Sequence, residues 1–166
     1  MIIRNERPTD IQAITDITIA AFQNHPFSHQ TEHFIVHALR AANALAVSLV
    51  AEIDGNVAGH VAFSPVAMAD GSPGWYGVGP ISVAPEYQRQ GIGTALMEEG
   101  LRRLENMGAN GCLLVGDPHF YKRFGFRNIP ELILEGVPPD VFLALPFGEK
   151  SPRGAVQFHQ AFMAME

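Results

Sequence analysis

The segment from Val83 to Leu96 constrains this chain more than any other, because two glycines stand where a strand gives way to a helix. A β-branched strand ends at Val83, a proline-led turn follows, and Gly91 and Gly93 then open a segment with helical apolar spacing. Backbone N–H groups at a helix N-terminus lack intrahelical partners, and the helix dipole favours negative charge there. Glycine lets a phosphate approach those groups closely. The segment therefore predicts a phosphate-binding loop over residues 88–94.

Two other kinds of phosphate loop fit this segment less well. A P-loop requires Lys followed by Ser or Thr after its last glycine, whereas Thr94 and Ala95 follow Gly93. A dinucleotide-binding loop requires a third small residue where Leu96 stands, and it belongs to a first βαβ unit rather than to the middle of a chain. A strand–helix connection that uses glycine only to break the chain stays open on these residues alone.

A second motif, Phe120-Tyr121-Lys122-Arg123-Phe124-Gly125-Phe126, lies one helix and one strand downstream of the loop. Together with Gln88-x-x-Gly91-x-Gly93, it resembles the GNAT superfamily of N-acetyltransferases, and the resemblance covers about residues 1–128. Four further segments are similar to the YhbS-like branch of that superfamily: Leu39-Arg40-Ala41, Gly59-His60, Phe63-Ser64-Pro65 and Gly116-Asp117-Pro118. The resemblance implies an acetyl-CoA-dependent N-acetyltransferase that moves an acetyl group to a primary amine by direct attack.

The fold that the resemblance implies is α/β (α+β), with a mixed, mostly antiparallel central sheet flanked by helices and a splayed parallel strand pair that forms the acetyl-CoA cleft. The apolar pattern predicts strands over 2–4, 45–53, 57–66, 76–83 and 111–115, and helices over 11–22, 31–42 and 91–107. The segment 129–166 predicts C-terminal strands over 141–145 and 156–158. We expect one domain over residues 1–166, which is an ordinary length for one.

By resemblance, acetyl-CoA is the cosubstrate and lies along the end of the central strand. Backbone groups of Ile81, Ser82 and Val83 would pair with its pantetheine arm, and the Val83 amide would donate a hydrogen bond to the thioester oxygen. The other residues assigned to its binding are Gln88, Arg89, Gln90, Gly91, Ile92, Gly93, Thr94, Asp117, Phe120 and Tyr121.

Tyr121 matches the general acid of the family. A phenol with an ordinary pKa of about 10 stays protonated at neutral pH and can donate to a departing thiolate. The structural alternative is a tyrosine that only packs beside its aromatic neighbours.

The general base is harder to identify, because the strand from Trp75 to Val83 contains no acid. His60 is our candidate catalytic base, since an ordinary imidazole pKa near 6.5 suits the task. The alternatives are a purely structural His60, a water relay through backbone carbonyls and Ser82, and Glu86 in the turn after the strand.

The composition of the chain limits the kinds of partner that we expect it to bind. A net charge of −6 argues against nucleic-acid binding, and no apolar run reaches the ~18 residues that a membrane span needs. The single cysteine, Cys112, excludes an internal disulfide, and the N-terminal segment lacks a signal-peptide layout, so we expect a cytoplasmic protein. The amine acceptor, a small molecule or a protein, is not identified by the sequence, and a homodimer is compatible with it.

Four histidines recur every four residues, at His25, His29, His33 and His37. On a helix the last two would share one face, but no third ligand clusters with them, so we expect no metal site.

Two other functions stay open at this stage. The absence of a strand acid is compatible with a non-catalytic acyl-CoA sensor or interaction module on the same fold. A nucleotide-binding regulator would use the same loop, but the lysine of a P-loop is absent.

Overall fold

The computed structural model describes residues 1–149 and 152–166. Its strands are β1 Ile2–Asn5, β2 Val47–Ile53, β3 Asn56–Pro65, β4 Ala67–Met68, β5 Trp75–Val83, β6 Gly111–Val115, β7 Leu132–Ile133, β8 Phe142–Pro146 and β9 Gly154–Gln157. Its α-helices are α1 Ile11–Phe22, α2 Glu32–Ala41, α3 Ile92–Asn106 and α4 Pro118–Tyr121. No described helix is long and apolar enough to cross a membrane.

A six-stranded sheet in the order β1-β2-β3-β5-β6-β8 forms the centre of the fold. Its neighbouring strands are antiparallel except for β5 and β6, which are parallel. Strands β4, β9 and β7 form a second, three-stranded sheet. The predicted mixed sheet with one parallel pair and flanking helices is confirmed.

Helices cover both faces of the central sheet. On one face, α3 buries a stripe spaced at helical intervals, with Ile92, Leu96 and Leu104 almost inaccessible to solvent against β2 and β3. This is the pattern of an amphipathic helix on a sheet. On the other face, Ile14 of α1 and Val36 of α2 pack on Val50 of β2. Polar side chains of β2, β3 and β5 are also buried in the structure: Ser48, His60, Ser64 and Ser82.

The C-terminal segment packs against α2 and β5. Ala161 and Phe162, in a 3₁₀ helix over Gln160–Met163, pack against Ile35 and Leu39 of α2. The ring of Phe158 lies over Gly77 of β5, so closely that a Cβ at Gly77 would be 2.6 Å from it. The two strands predicted in this segment are present at 142–146 and 154–157, displaced by one or two residues.

The sequence patterns missed β4 and β7. Each is only two residues long and pairs with β9, which leaves too few residues for an alternation to be visible.

Candidate functional site

The parallel strands β5 and β6 separate soon after they begin. They pair only over Trp75–Gly77, opposite Gly111–Leu113. Strand β5 then continues to Val83, while the end of β6 pairs with β8 on its other side. Strand β5 contains one extra residue between the two residues that pair with Val61 and Phe63 of β3. The register between β5 and β3 therefore shifts close to the point where β5 separates from β6. Bulges of this kind bend a strand and re-aim its groups, so the splayed pair leaves an open cleft.

Backbone alternation decides which groups of β5 face that cleft. The amide of Ala84 donates to Ala58 in β3, at 2.8 Å. Successive residues of a strand direct their backbone groups to opposite edges, so those of Val83 and Ile81 are directed away from β3 and toward the cleft. Those of Ser82 are directed to β3, opposite His60. We therefore remove Ser82 from the residues expected to pair with pantetheine through their backbone.

The predicted phosphate-binding loop, residues 88–94, follows β5 and leads into α3. A 3₁₀ turn over Pro85–Tyr87 comes first, and the Gln88 side chain then donates to the Val83 carbonyl at 3.0 Å. Arg89 and Gly91 both have left-handed backbones, with φ of 64° and 84°. Gly91 is the N-cap of α3 and has no side chain to cover the helix end. Gln88 thus holds the loop against β5, and the α3 amides are open to an anion.

The first turn of α3 meets the second motif. A Cβ built on Gly93 would lie 3.7 Å from the Phe120 ring and 3.9 Å from the Val83 side chain. The end of β5, the start of α3 and the start of α4 therefore converge, although they are far apart in sequence. Ile92 contributes only its backbone, since its side chain is buried in the core.

Asp117 and Gly116 position Tyr121. The Asp117 carboxylate caps α4 by accepting from the His119 amide at 2.9 Å. The Tyr121 ring lies directly on Gly116, where a Cβ would come within 2.5 Å of it. Burial raises the pKa of Tyr121 to about 12, and the nearby charge of Asp117 acts in the same direction. The phenol is thus protonated at neutral pH, as a general acid requires.

Arg123 is a site residue that the sequence reasoning missed. Its guanidinium lies 4.7 Å from the centre of the Phe120 ring and 3.5 Å from the Thr94 hydroxyl. Its Nε donates to the Phe120 carbonyl at 2.9 Å. These contacts hold a positive charge beside the N-terminus of α3. The signal was present, because Arg123 stands within the second motif itself.

The candidate base His60 is completely buried. Its Nε2 lies 2.8 Å from the Ser48 hydroxyl and 3.7 Å from the Glu6 carboxylate, which also binds Arg40 at 2.9 Å. Burial lowers the pKa of His60, although Glu6 opposes that shift. A buried imidazole cannot touch an amine in the open cleft, so any action of His60 as a base passes through another group. The alternative base Glu86 is exposed in the turn after β5.

The Glu6 network predicts a specific loss of stability in acid. Burial raises the pKa of Glu6, but contacts with His60, Arg40 and Ser48 outweigh it and lower the pKa from 4.5 to about 2. The unfolded state then binds more protons, so stability present above pH 4.5 is lost as the pH falls toward 2. We expect Glu6→Gln to reduce the pH dependence of the unfolding free energy in that window, measured by urea denaturation. Parallel curves for both proteins would contradict this.

The histidines on α2 and in the loop before it do not gather at one point, although the rings of His33 and His37 lie edge to face with centroids 6.4 Å apart. Within residues 1–149 and 152–166, no three His, Cys, Asp or Glu side chains are placed to hold a metal ion. His37 instead hydrogen-bonds Thr15 of α1 at 2.8 Å, and His25 accepts from the Phe27 amide in its own loop.

A separate cavity of about 550 Å³ lies at the other end of α3, lined by residues that include Glu6, Arg40, Ser48 and Arg103. It is remote from the glycine loop and from Tyr121, so it is not part of the cleft.

Known proteins are similar to this chain in sequence and in fold. The profile of the "Acetyltransferase (GNAT) family" matches residues 11–126. The "Uncharacterized N-acetyltransferase YhbS" of Escherichia coli strain K12 is 39% identical over 128 residues, which are 76% of this chain and 74% of that protein.

Two solved structures are similar over nearly the whole chain. A GNAT family acetyltransferase from Brucella melitensis in complex with acetyl-CoA is 48% identical, with a TM-score of 0.87 over 97% of both chains. The YhbS of Escherichia coli in complex with CoA is 32% identical, with a TM-score of 0.85 over 99% of this chain and 93% of the other.

Proposed function

Because this chain belongs to the GNAT family of acetyltransferases, we propose that it moves an acetyl group from acetyl-CoA to a primary amine by direct attack. One observation carries the proposal: the cleft end of β5, the open N-terminus of α3 and the Phe120 ring, which packs beside Tyr121 in α4, converge on one place. The solved relatives with acetyl-CoA or CoA bound support the choice of cosubstrate.

The residues of the cleft fit a CoA ligand. Gly91 has no side chain, and a Cβ there would meet no described atom within 4 Å, so the helix end is open to a pyrophosphate. Arg123 adds a guanidinium beside it, and a planar guanidinium suits bidentate contact with phosphate. The cleft-facing backbone of Ile81 and Val83 suits an arm with amide groups.

Two groups of the chain would perform the transfer. The bound cosubstrate supplies an activated thioester to the amine. The Val83 amide donates to the thioester oxygen as negative charge develops there, and one such donor is worth about 3–4 kcal/mol. Tyr121 gives its proton to the departing sulfur. Cys112 is unsuited to act as a nucleophile, because its thiol is completely buried and burial raises its pKa strongly.

Thiol release tests the proposal. The protein is incubated with acetyl-CoA and, separately, with glycinamide, putrescine and the amide of Ala-Ala, and free CoA is measured against a no-enzyme control. We expect release that depends on at least one amine. Tight CoA binding without release would instead support the acyl-CoA sensor, which the absence of an acid on β5 keeps as a second candidate.

Arg123 gives a further prediction. We expect Arg123→Ala to raise the KM for acetyl-CoA about tenfold or more with a smaller effect on kcat, because a hydrogen bond to a charged group contributes about 1.5–3 kcal/mol. Arg123→Lys should recover part of the affinity through its charge. Arg102→Ala, at an exposed position on α3 beside Glu99, is the matched control. An equal rise in KM in both alanine variants would argue against a phosphate contact.

A further inference from the structure

Hydrogen-bond donors around His60 determine which of its ring nitrogens carries the proton. The Ser48 hydroxyl touches both the Glu6 carboxylate and Nε2 of His60. Glu6 is ionised beside Arg40, so its oxygens can only accept. Ser48 must therefore give its single hydrogen to Glu6, and toward His60 it can only accept. Nε2 of His60 is consequently the protonated nitrogen, and Nδ1 carries a lone pair.

The Nδ1 atom of His60 is buried and has no hydrogen-bond partner among the described residues. On the other neighbouring strand, β5, the residue directly opposite His60 is Ser82, which also carries a hydroxyl. However, the Thr18 hydroxyl donates its hydrogen to the Ile14 carbonyl at 2.7 Å. In the 3.2 Å hydrogen bond between the Thr18 and Ser82 hydroxyls, Ser82 must therefore be the donor. Since Ser82 has no hydrogen left, none of the described residues donates to Nδ1, and a water is a donor of the right size.

We propose that Glu6 and Ser48 hold His60 as the Nε2–H tautomer so that its Nδ1 takes, through one bound water, the proton that the acceptor amine loses. This inference rests on the proposed function. Buried polar atoms are normally paired, and a water bridging Nδ1 and the free lone pairs of Ser82 would pair both. Ser82 is the residue before Val83, so this water would lie next to the amide that faces the thioester.

The proton balance of the step is complete. An N–H bond of the amine breaks and its electron pair stays on nitrogen, while the water forms one O–H bond and loses another to Nδ1. His60 becomes an imidazolium that Glu6 stabilises through Ser48. Once the product has left, His60 releases the proton through the same water to solvent, and Tyr121, which has given its proton to the sulfur, takes one back from solvent. Glu6, Ser48 and His60 do not touch the substrate, so they are positioning residues.

Charged groups from several elements face His60. They are Glu6 after β1, Asp10 in the 3₁₀ turn before α1, and Arg40 on α2; the carboxylates raise the pKa of His60, whereas burial, the larger effect, and Arg40 lower it. The neutral base is therefore present at pH 7, and kcat/KM should fall only as the pH drops through a value below 6.5.

Nitrogen NMR of the intact wild-type protein tests the tautomer without any ligand. At pH 7.5 we expect the Nε2 of His60 to show the chemical shift of a protonated nitrogen and the Nδ1 that of an unprotonated one. The reverse assignment would overturn the proposal.

Kinetics of Ser48→Ala test the catalytic consequence. With the amine that releases most thiol from the wild type, we expect kcat to fall about 10- to 100-fold, because a positioned base contributes about 100-fold or more, with the KM for acetyl-CoA unchanged. Ser64→Ala is the matched control, since Ser64 is buried on the same face of β3 and its hydroxyl has no described partner. A normal kcat in Ser48→Ala beside an active wild type would overturn the relay alone, whereas a wild type that releases no thiol would overturn the proposed function.

If Ser48→Ala does not fold, the pH profile of kcat/KM of the wild type tests whether His60 is the base. An inflection of kcat/KM below pH 6.5 that is the same for glycinamide and putrescine supports His60. A profile with no inflection common to both amines below pH 6.5 overturns it.

Discussion

Gly91→Trp is expected to weaken the binding of acetyl-CoA about tenfold or more, because the indole would stand in front of the α3 amides. A Cβ at Gly91 would meet no described atom within 4 Å, so the side chain extends into the space where we place the pyrophosphate. Losing one hydrogen bond to a charged group costs about 1.5–3 kcal/mol, and 1.4 kcal/mol corresponds to about tenfold in affinity. Calorimetric titration with CoA measures the effect.

Gly55→Trp is the matched control for that substitution. Gly55 has a φ of 80°, against 84° for Gly91, and a Cβ there also meets no described atom within 4 Å. Both variants therefore carry a similar backbone strain for a residue with a side chain. Gly55 lies in the turn between β2 and β3. If Gly91→Trp binds CoA as tightly as Gly55→Trp, the loop is not the phosphate site.

Tyr121→Phe should lower kcat about 100-fold or more while leaving the affinity for acetyl-CoA nearly intact. The hydroxyl is required only as charge develops on sulfur, so its removal affects the transition state and not the bound ground state. The ring remains, and its packing on Gly116 and Phe120 is preserved. Steady-state kinetics with chemistry shown to be rate-limiting make the measurement.

The pH dependence of kcat in the wild type provides a second test of Tyr121 as the general acid. Its pKa is raised to about 12, so the acid form is fully present at neutral pH and is lost only as the pH approaches that value. We expect no decline of kcat from this group below pH 10. Tyr87→Phe serves as the control for removing a tyrosine hydroxyl near the cleft, and equal losses in both variants would remove Tyr121 from the acid role.

The central sheet was predictable because its patterns are local. The apolar run over Gly111–Val115 and the strand that ends at Val83 each depend on a few consecutive residues, and both strands are present as expected. Short strands such as β4 and β7 exist only because β9 pairs with them. No local pattern of two residues can record such a pairing.

For the candidate site too, some residues could be predicted from local motifs and others could not. The two motifs located the loop and Tyr121, and the fold brings them together through Gly93 and Phe120. The backbone of Ser82, which the resemblance assigned to pantetheine, is directed toward β3, because its direction is set by the register of the two strands. The position of Arg123 beside Thr94 likewise needed the packing of α4 against α3.

By itself, the sequence determined the order of elements, the glycine-bearing start of α3 and the tyrosine motif, because each is written in a few adjacent residues whose local conformations follow from their own chemistry. Only the tertiary structure decided which groups surround His60. Its tautomer depends on Ser48 from β2 and on Glu6 from the segment after β1, which reach it from other strands. Hydrogen bonds between residues so distant in sequence form only when the sheet has aligned its strands, so no local pattern could encode them.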